Sequence, residues 1–133
     1  MSDLQEEKKL VLEYFNSINN ANSENLIDTI TKYTSSDFKM RCTHPFNELS
    51  GAEEIANNLW MPIKNSFEPI QRRMDIFYAG INSLDDHEGK WVTSMGHLMG
   101  VFNKSFFGIQ PNYKSILLRY AEFYKVENNK ITE

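Results

Sequence analysis

In the first half of the chain, apolar residues recur at helical spacing. Leu4, Val11, Phe15 and Ile18 form one stripe, and Leu26, Ile27, Ile30 and Tyr33 give a second helix its apolar side. The polar stretch from Asn19 to Ser23 separates the two and can cap the second. Ser2 with Gln5 reads as a capping box for the first helix, and Ser50 with Glu53 as one for a third. In that third helix Ile55, Ala56, Leu59 and Trp60 make a narrow apolar face, and Pro62 ends or restarts it. Before it, Phe38, Met40 and Cys42 alternate as a short strand that stops ahead of His44-Pro45.

From Gln71 onward the period changes to two. Gln71 to Ile81, Lys90 to Phe102 and Lys114 to Val126 read as long strands rich in aromatic and β-branched residues. Asp85 to Gly89 is a polar turn, and Asn103 to Tyr113 a longer connection. Glu127-Asn128-Asn129-Lys130 has the composition of a tight hairpin, with Asn supplying left-handed positions. Helices followed by an antiparallel meander predict an α+β domain with its helices on one sheet face. A curved sheet closed by helices makes a conical cavity, a natural small-molecule site. Ile131-Thr132-Glu133 opens a further strand too short to cover its neighbour, whose bare edge would invite association. The expectation is a fragment of a longer protein, or an edge covered by another chain.

Period-two sorting also isolates the candidate chemistry. Trp91, Thr93, Met95, His97, Met99 and Val101 share one face of their strand. Ile116, Leu118, Tyr120, Glu122, Tyr124 and Val126 share one face of theirs. A lone imidazole and a lone carboxylate on apolar faces are costly unless paired, hydrated or used. Both are expected to point into one shared hollow.

Composition narrows the field without naming a function. A chain of 133 residues is long enough for one domain with a real core. The net charge of -4, with scattered basic residues, shows no electrostatic footprint for nucleic acid. No apolar run approaches a membrane span, and the charged N-terminus is not a signal peptide, so a cytoplasmic protein is the default. The single Cys42 excludes an intrachain disulfide and any CxxC motif. No phosphate loop, nucleophile elbow or HExxH motif occurs.

Several segments carry a resemblance. Gly51-Ala52-Glu53-Glu54-Ile55 opens a helix that Trp60-Met61-Pro62-Ile63 closes. Gly96-His97-Leu98-Met99-Gly100-Val101-Phe102 is followed by Phe107-Gly108-Ile109-Gln110-Pro111. Leu118-Arg119-Tyr120-Ala121-Glu122-Phe123-Tyr124-Lys125-Val126 leads to Asn129-Lys130-Ile131-Thr132-Glu133. In element order and in these segments, over nearly its whole length, the chain resembles the SnoaL-like polyketide cyclases of the nuclear transport factor 2-like superfold. The resemblance implies one domain over 1–133: a cone-shaped α+β barrel, its curved antiparallel sheet packed on three N-terminal helices. It also implies a homodimer, no metal and no organic cofactor. Characterised members close polyketide rings by intramolecular aldol condensation with acid/base residues in the cavity. The superfold also hosts isomerases, dehydratases, epoxide hydrolases and proteins that only bind, so fold does not settle function. The sequence departs from the family in two places. The final family strand lies beyond Glu133, and Pro111-Asn112-Tyr113 replaces the usual proline-threonine-glycine turn.

The resemblance matches His97 to the family histidine in a Gly-x-His-x-x-Gly context, where imidazole would act as general acid/base. Its bland counterpart is a half-buried histidine bonded to backbone or a tyrosine. Glu122 is the candidate base for removing a proton alpha to a carbonyl; otherwise it forms an ion pair with Arg119 or Arg41. Tyr120 could donate to an enolate oxygen, though core tyrosines with satisfied hydroxyls are common. Arg119 alternates to the opposite face with Leu117, Ala121 and Phe123, a possible dimer surface. Trp60, Trp91, Met95, Met99, Phe67 and Tyr124 are the expected ligand-binding residues, and packing explains them nearly as well. His44 could line a pocket mouth. His87, in the turn Asp85-Asp86-His87-Glu88, reads as solvated, because neighbouring turn residues rarely converge on one metal ion.

The leading expectation is therefore a cofactor-free enzyme of cyclase or isomerase type acting on a small hydrophobic or polycyclic ligand. The rivals are a hydrophobic-ligand binder without turnover, and a structural dimerisation domain whose cavity is filled by Trp60, Phe67 and Met99.

Overall fold

The computed structural model describes residues 3–133. Helix α1 (Gln5–Asn20) buries Leu10, Val11, Tyr14, Phe15 and Ile18, and α2 (Leu26–Tyr33) buries Leu26, Ile30 and Tyr33, whereas Ile27, expected on the same side, is exposed. The capping box drawn from Ser2 falls outside the described residues. At Ser50 the partner differs: its side chain makes no cap bond, and Glu54 rather than Glu53 accepts the Ser50 backbone N–H at 2.7 Å. One orphan donor ahead of α3 (Gly51–Ile55) is satisfied all the same.

Beyond Ile55 the helix widens into a π turn (Ala56–Trp60) and tightens again as α4 (Met61–Ser66). Pro62 stands at the junction of the π turn and α4, and the helical run continues through it rather than ending. The π turn buries Ala56, Leu59 and Trp60 together. Such turns are frequent at functional sites. Lys64 Nζ then donates to the carbonyls of Ile18 and Asn19 at 2.8 and 3.1 Å, satisfying the C-terminal end of α1.

Strands β1 (Lys39–Arg41) and β2 (Glu48–Ser50) pair as a short ribbon, and β2 was not anticipated by the pattern. The main sheet is antiparallel in the order β3 (Gln71–Asn82), β4 (Gly89–Val101), β5 (Ser115–Glu127) and β6 (Lys130–Ile131). Asn128 and Asn129 both take left-handed φ, 49° and 59°, as a two-residue hairpin requires. The helices pack on one face of this curved sheet, giving an α+β architecture. Tyr14 and Phe15 of α1 meet Tyr124 of β5 edge-on, with ring centroids 5.9 and 5.5 Å apart.

The register decides which residues face those helices. Ser94 lies opposite Glu122, Gly96 opposite Tyr120 and Leu98 opposite Leu118, while His97 lies opposite Arg119 and Met95 opposite Ala121. Directly opposed residues project from the same face. The Glu122 face holds buried Ser94, Leu98, Tyr120 and Tyr124 and packs on the helices; the other face holds exposed Leu117, Arg119 and Phe123. His97, Met95 and Met99 therefore lie outside the cone, on the opposite side of the sheet from Glu122. This corrects the shared-hollow expectation. Both faces of β4 carry large side chains, and period two cannot say which of two apolar faces turns inward.

β3 contains one irregularity, between Met74 and Ile76, where Asp75 is the extra residue of a bulge. Arg72, opposite Leu98, faces inward before it; Phe77, opposite Ser94, faces inward after it.

Candidate functional site

Between the sheet, the third helical stretch and the β1–β2 ribbon lies a hollow of about 1100 Å³. Its inner walls are apolar, formed by Met40, Cys42, Leu59, Ile63, Leu98 and Leu118. Trp60, Tyr120, Glu122 and Tyr124 supply its polar inner end. At the mouth stand Phe46 and Phe106, with Phe67 buried behind Phe106 at 4.9 Å between ring centroids. β6 covers β5 only at Val126 and Glu127, and the hollow continues around the edge of β5 to Trp91, Arg119 and Phe123.

The centre of the polar end is an ion pair. Arg72 Nη1 donates to Glu122 Oε2 at 2.8 Å, and Nη2 to Oε1 at a longer 3.4 Å. The Arg72 side chain is 4% exposed and that of Glu122 12%. The guanidinium carbon sits 4.0 Å from the Phe15 ring centroid and 4.4 Å from that of Tyr120, a cation held between two aromatic faces. Burial opposes charge on Arg72, but the adjoining Glu122 more than offsets it, so the already high guanidinium pKa rises further. Arg72 supplies the counter-charge that a carboxylate in an apolar wall requires.

Polar groups without partners surround this pair. Tyr14 Oη, Trp60 Nε1, Arg72 Nε and Tyr124 Oη are buried and make no hydrogen bond among the described residues. Burial pushes the Tyr14 and Tyr124 hydroxyls above their ordinary pKa, with Glu122 adding to the rise in both. Burial, with a smaller push from Glu122, likewise raises the Cys42 thiol. The hydroxyl of Tyr120 is already engaged, sharing a 3.1 Å hydrogen bond with Ser94 Oγ.

The structure thus brings Glu122, Tyr120, Trp60 and Tyr124 together on one hollow and adds Trp91 at its outer end. Three expected ligand contacts are corrected: Met95 and Met99 face away, and Phe67 stands behind Phe106. His97 is corrected as a partner of Glu122; its Nδ1 lies 3.4 Å from Asp75 Oδ2 on the outer face. Neither Arg119 nor Arg41 pairs with Glu122, since Arg41 reaches Glu133 at 2.8 Å and Arg119 stands on the other face. His44 lines the mouth; His87 is exposed, as a solvated turn implies, and its carbonyl accepts the Trp91 indole N–H at 2.8 Å at the outer end of the hollow.

Arg72 is the residue that reading the sequence missed. In Gln71-Arg72-Arg73-Met74-Asp75 it resembles its exposed neighbours, and only the bulge gives it an inward place. A pair of arginines opening an otherwise apolar strand was the one signal available.

No family model matches the chain, and no curated protein matches it in sequence. Solved structures do. A candidate polyketide cyclase from Xanthomonas campestris pv. campestris superposes with a TM-score of 0.72 at 19% identity, over 98% of this chain and 88% of that one. A candidate SnoaL-like polyketide cyclase from Jannaschia sp. CCS1 gives 0.74 at 13% identity, over 99% and 84%. A nuclear transport factor 2-like protein from Burkholderia thailandensis gives 0.64 at 14%, over 94% and 84%. At such identities the likeness is one of architecture: the chain has the α+β fold that these proteins share.

Proposed function

We propose that the chain binds a small, largely apolar molecule in the hollow, with the Arg72–Glu122 pair as the fixed polar end of the site. The observation carrying this reading is the convergence of apolar walls on one buried, mutually neutralised ion pair flanked by unpartnered polar groups. Pockets of this size and character commonly take drug-sized ligands, oriented by a few convergent polar groups. The test is titration with the fluorescent dye 1-anilinonaphthalene-8-sulfonate, followed by displacement with a sterol, a flat polycyclic phenol and a fatty acid. Saturable dye binding that Leu59→Trp or Leu118→Trp abolishes by filling the hollow supports the reading. Dye binding unaffected by both would defeat it.

A second reading is acid/base turnover of the cyclase or isomerase type, with Glu122 as base and Tyr120 as donor. It is favoured by both residues reaching the same hollow and by fold neighbours described as candidate polyketide cyclases. On this reading substrate must draw one Glu122 oxygen away from Arg72. His97 has no part in it. Loss of turnover in Glu122→Gln with ligand binding retained would establish it; equal turnover in both proteins would exclude it.

For assembly, we propose a homodimer through the outer sheet face. Ile76, Tyr78, Leu117 and Phe123 are each about half exposed or more, and Met95 and Met99 extend the same surface. Contiguous apolar patches on a sheet face mark association surfaces. Sedimentation of Tyr78→Lys against the unaltered chain tests it.

A further inference from the structure

We propose that the molecule taken by this hollow is neutral and carries a hydroxyl at its buried end, which donates to Glu122 Oε1 and accepts from the Tyr124 hydroxyl. The inference rests on the ligand-binding reading above and specifies its chemistry. Arg72 engages Oε2 at 2.8 Å but Oε1 only at 3.4 Å, so Oε1 is the carboxylate oxygen with acceptor capacity to spare. Glu122 faces the hollow and, among the described residues, is the acidic side chain of its inner wall, Glu133 being the other that lines the hollow. Tyr124, 2% exposed, lines the same wall beside Glu122; its hydroxyl meets no partner at hydrogen-bonding distance and angle among the described residues, although the carboxylate lies close enough to raise its pKa. A buried polar group left unpaired costs about 1–3 kcal/mol, so this corner gains from a ligand able to pair with it.

The chemistry excludes the alternatives in turn. A carboxylate would bring a second anion against Glu122 in a site whose one buried cation is already matched. An ammonium group would add an unbalanced cation beside Arg72. A hydrocarbon would leave both Oε1 and the Tyr124 hydroxyl as they are, gaining only apolar burial. A hydroxyl, at once donor and acceptor, is the simplest group that answers both.

The test is calorimetric titration of the full chain at neutral pH with 2-naphthol, naphthalene and 2-naphthoate, which share one apolar body. We expect 2-naphthol to bind roughly tenfold or more tightly than either of the others, the scale of one hydrogen bond to a charged group. In Tyr124→Phe the ratio of naphthol to naphthalene affinity should fall several-fold, whereas a purely structural role would weaken all three probes alike. Equal or tighter binding of naphthoate or naphthalene, or a ratio unmoved in Tyr124→Phe, overturns the hydroxyl assignment while leaving ligand binding standing. Failure of all three to bind overturns the ligand-binding reading itself.

Discussion

Arg72 and Phe77 both face the helices, although plain alternation along a strand would put them on opposite sides. The bulge at Asp75 reverses the parity of β3 between them. Upstream it turns a guanidinium inward to meet Glu122; downstream it keeps Phe77 and Ala79 in the core. Gly96 makes this possible. A Cβ there would stand 2.0 Å from the Arg73 carbonyl oxygen, so the bulged backbone needs a glycine beneath it.

Gly96→Ala should therefore be among the most damaging single substitutions in the sheet. We expect a loss of about 3 kcal/mol, from forced displacement of the β3 backbone. Urea denaturation measures it. A change below about 0.5 kcal/mol, the usual scale for an unconstrained surface site, would show that the close approach is not real.

The ion pair should be costly to break and cheap to replace. Arg72→Met leaves Glu122 buried beside aromatic rings, and we expect about 3–5 kcal/mol of destabilisation. Joining it with Glu122→Leu removes the stranded charge, and most of that stability should return. Comparing the midpoints of the single and double variants checks this; additive losses would mean that the two side chains do not interact.

Glu7 on α1 accepts a hydrogen bond from Lys90 on β4, tying the first helix to the sheet. That bond, opposed in part by burial, holds the Glu7 pKa below its ordinary value of 4.5. A carboxyl lowered on folding contributes stability that is fully present above the unfolded value and lost as pH falls through the folded one. Thermal melts should therefore drop on acidification below about pH 4.5, and the drop should be smaller in Glu7→Gln. Parallel pH curves for the two proteins would contradict the assignment.

His97 provides a negative control for the interior. Because it sits on the outer face near Asp75, His97→Ala should leave dye affinity for the hollow within about twofold. A tenfold loss, read by fluorescence titration, would mean that the outer face communicates with the cavity.

Much of the architecture was legible from spacing alone. The stripes through Val11 and Phe15 and through Ile30 and Tyr33 became buried helix faces, and the three long strands begin and end close to where alternation suggested. The Asn128-Asn129 turn followed from which residues tolerate positive φ. The three-residue β2 was too short to carry a pattern, and it is Glu54 rather than Glu53 that accepts the Ser50 N–H.

Local periodicity by itself determined the helices, the meander and the shared face of Tyr120, Glu122 and Tyr124, because each depends on side-chain spacing within one segment. Tertiary structure alone decided that His97 looks outward and that Arg72 looks in. Sidedness depends on which face the helices cover, and partnership on a bulge that shifts one strand against the next. Those are relations between distant segments, and no window of sequence contains them.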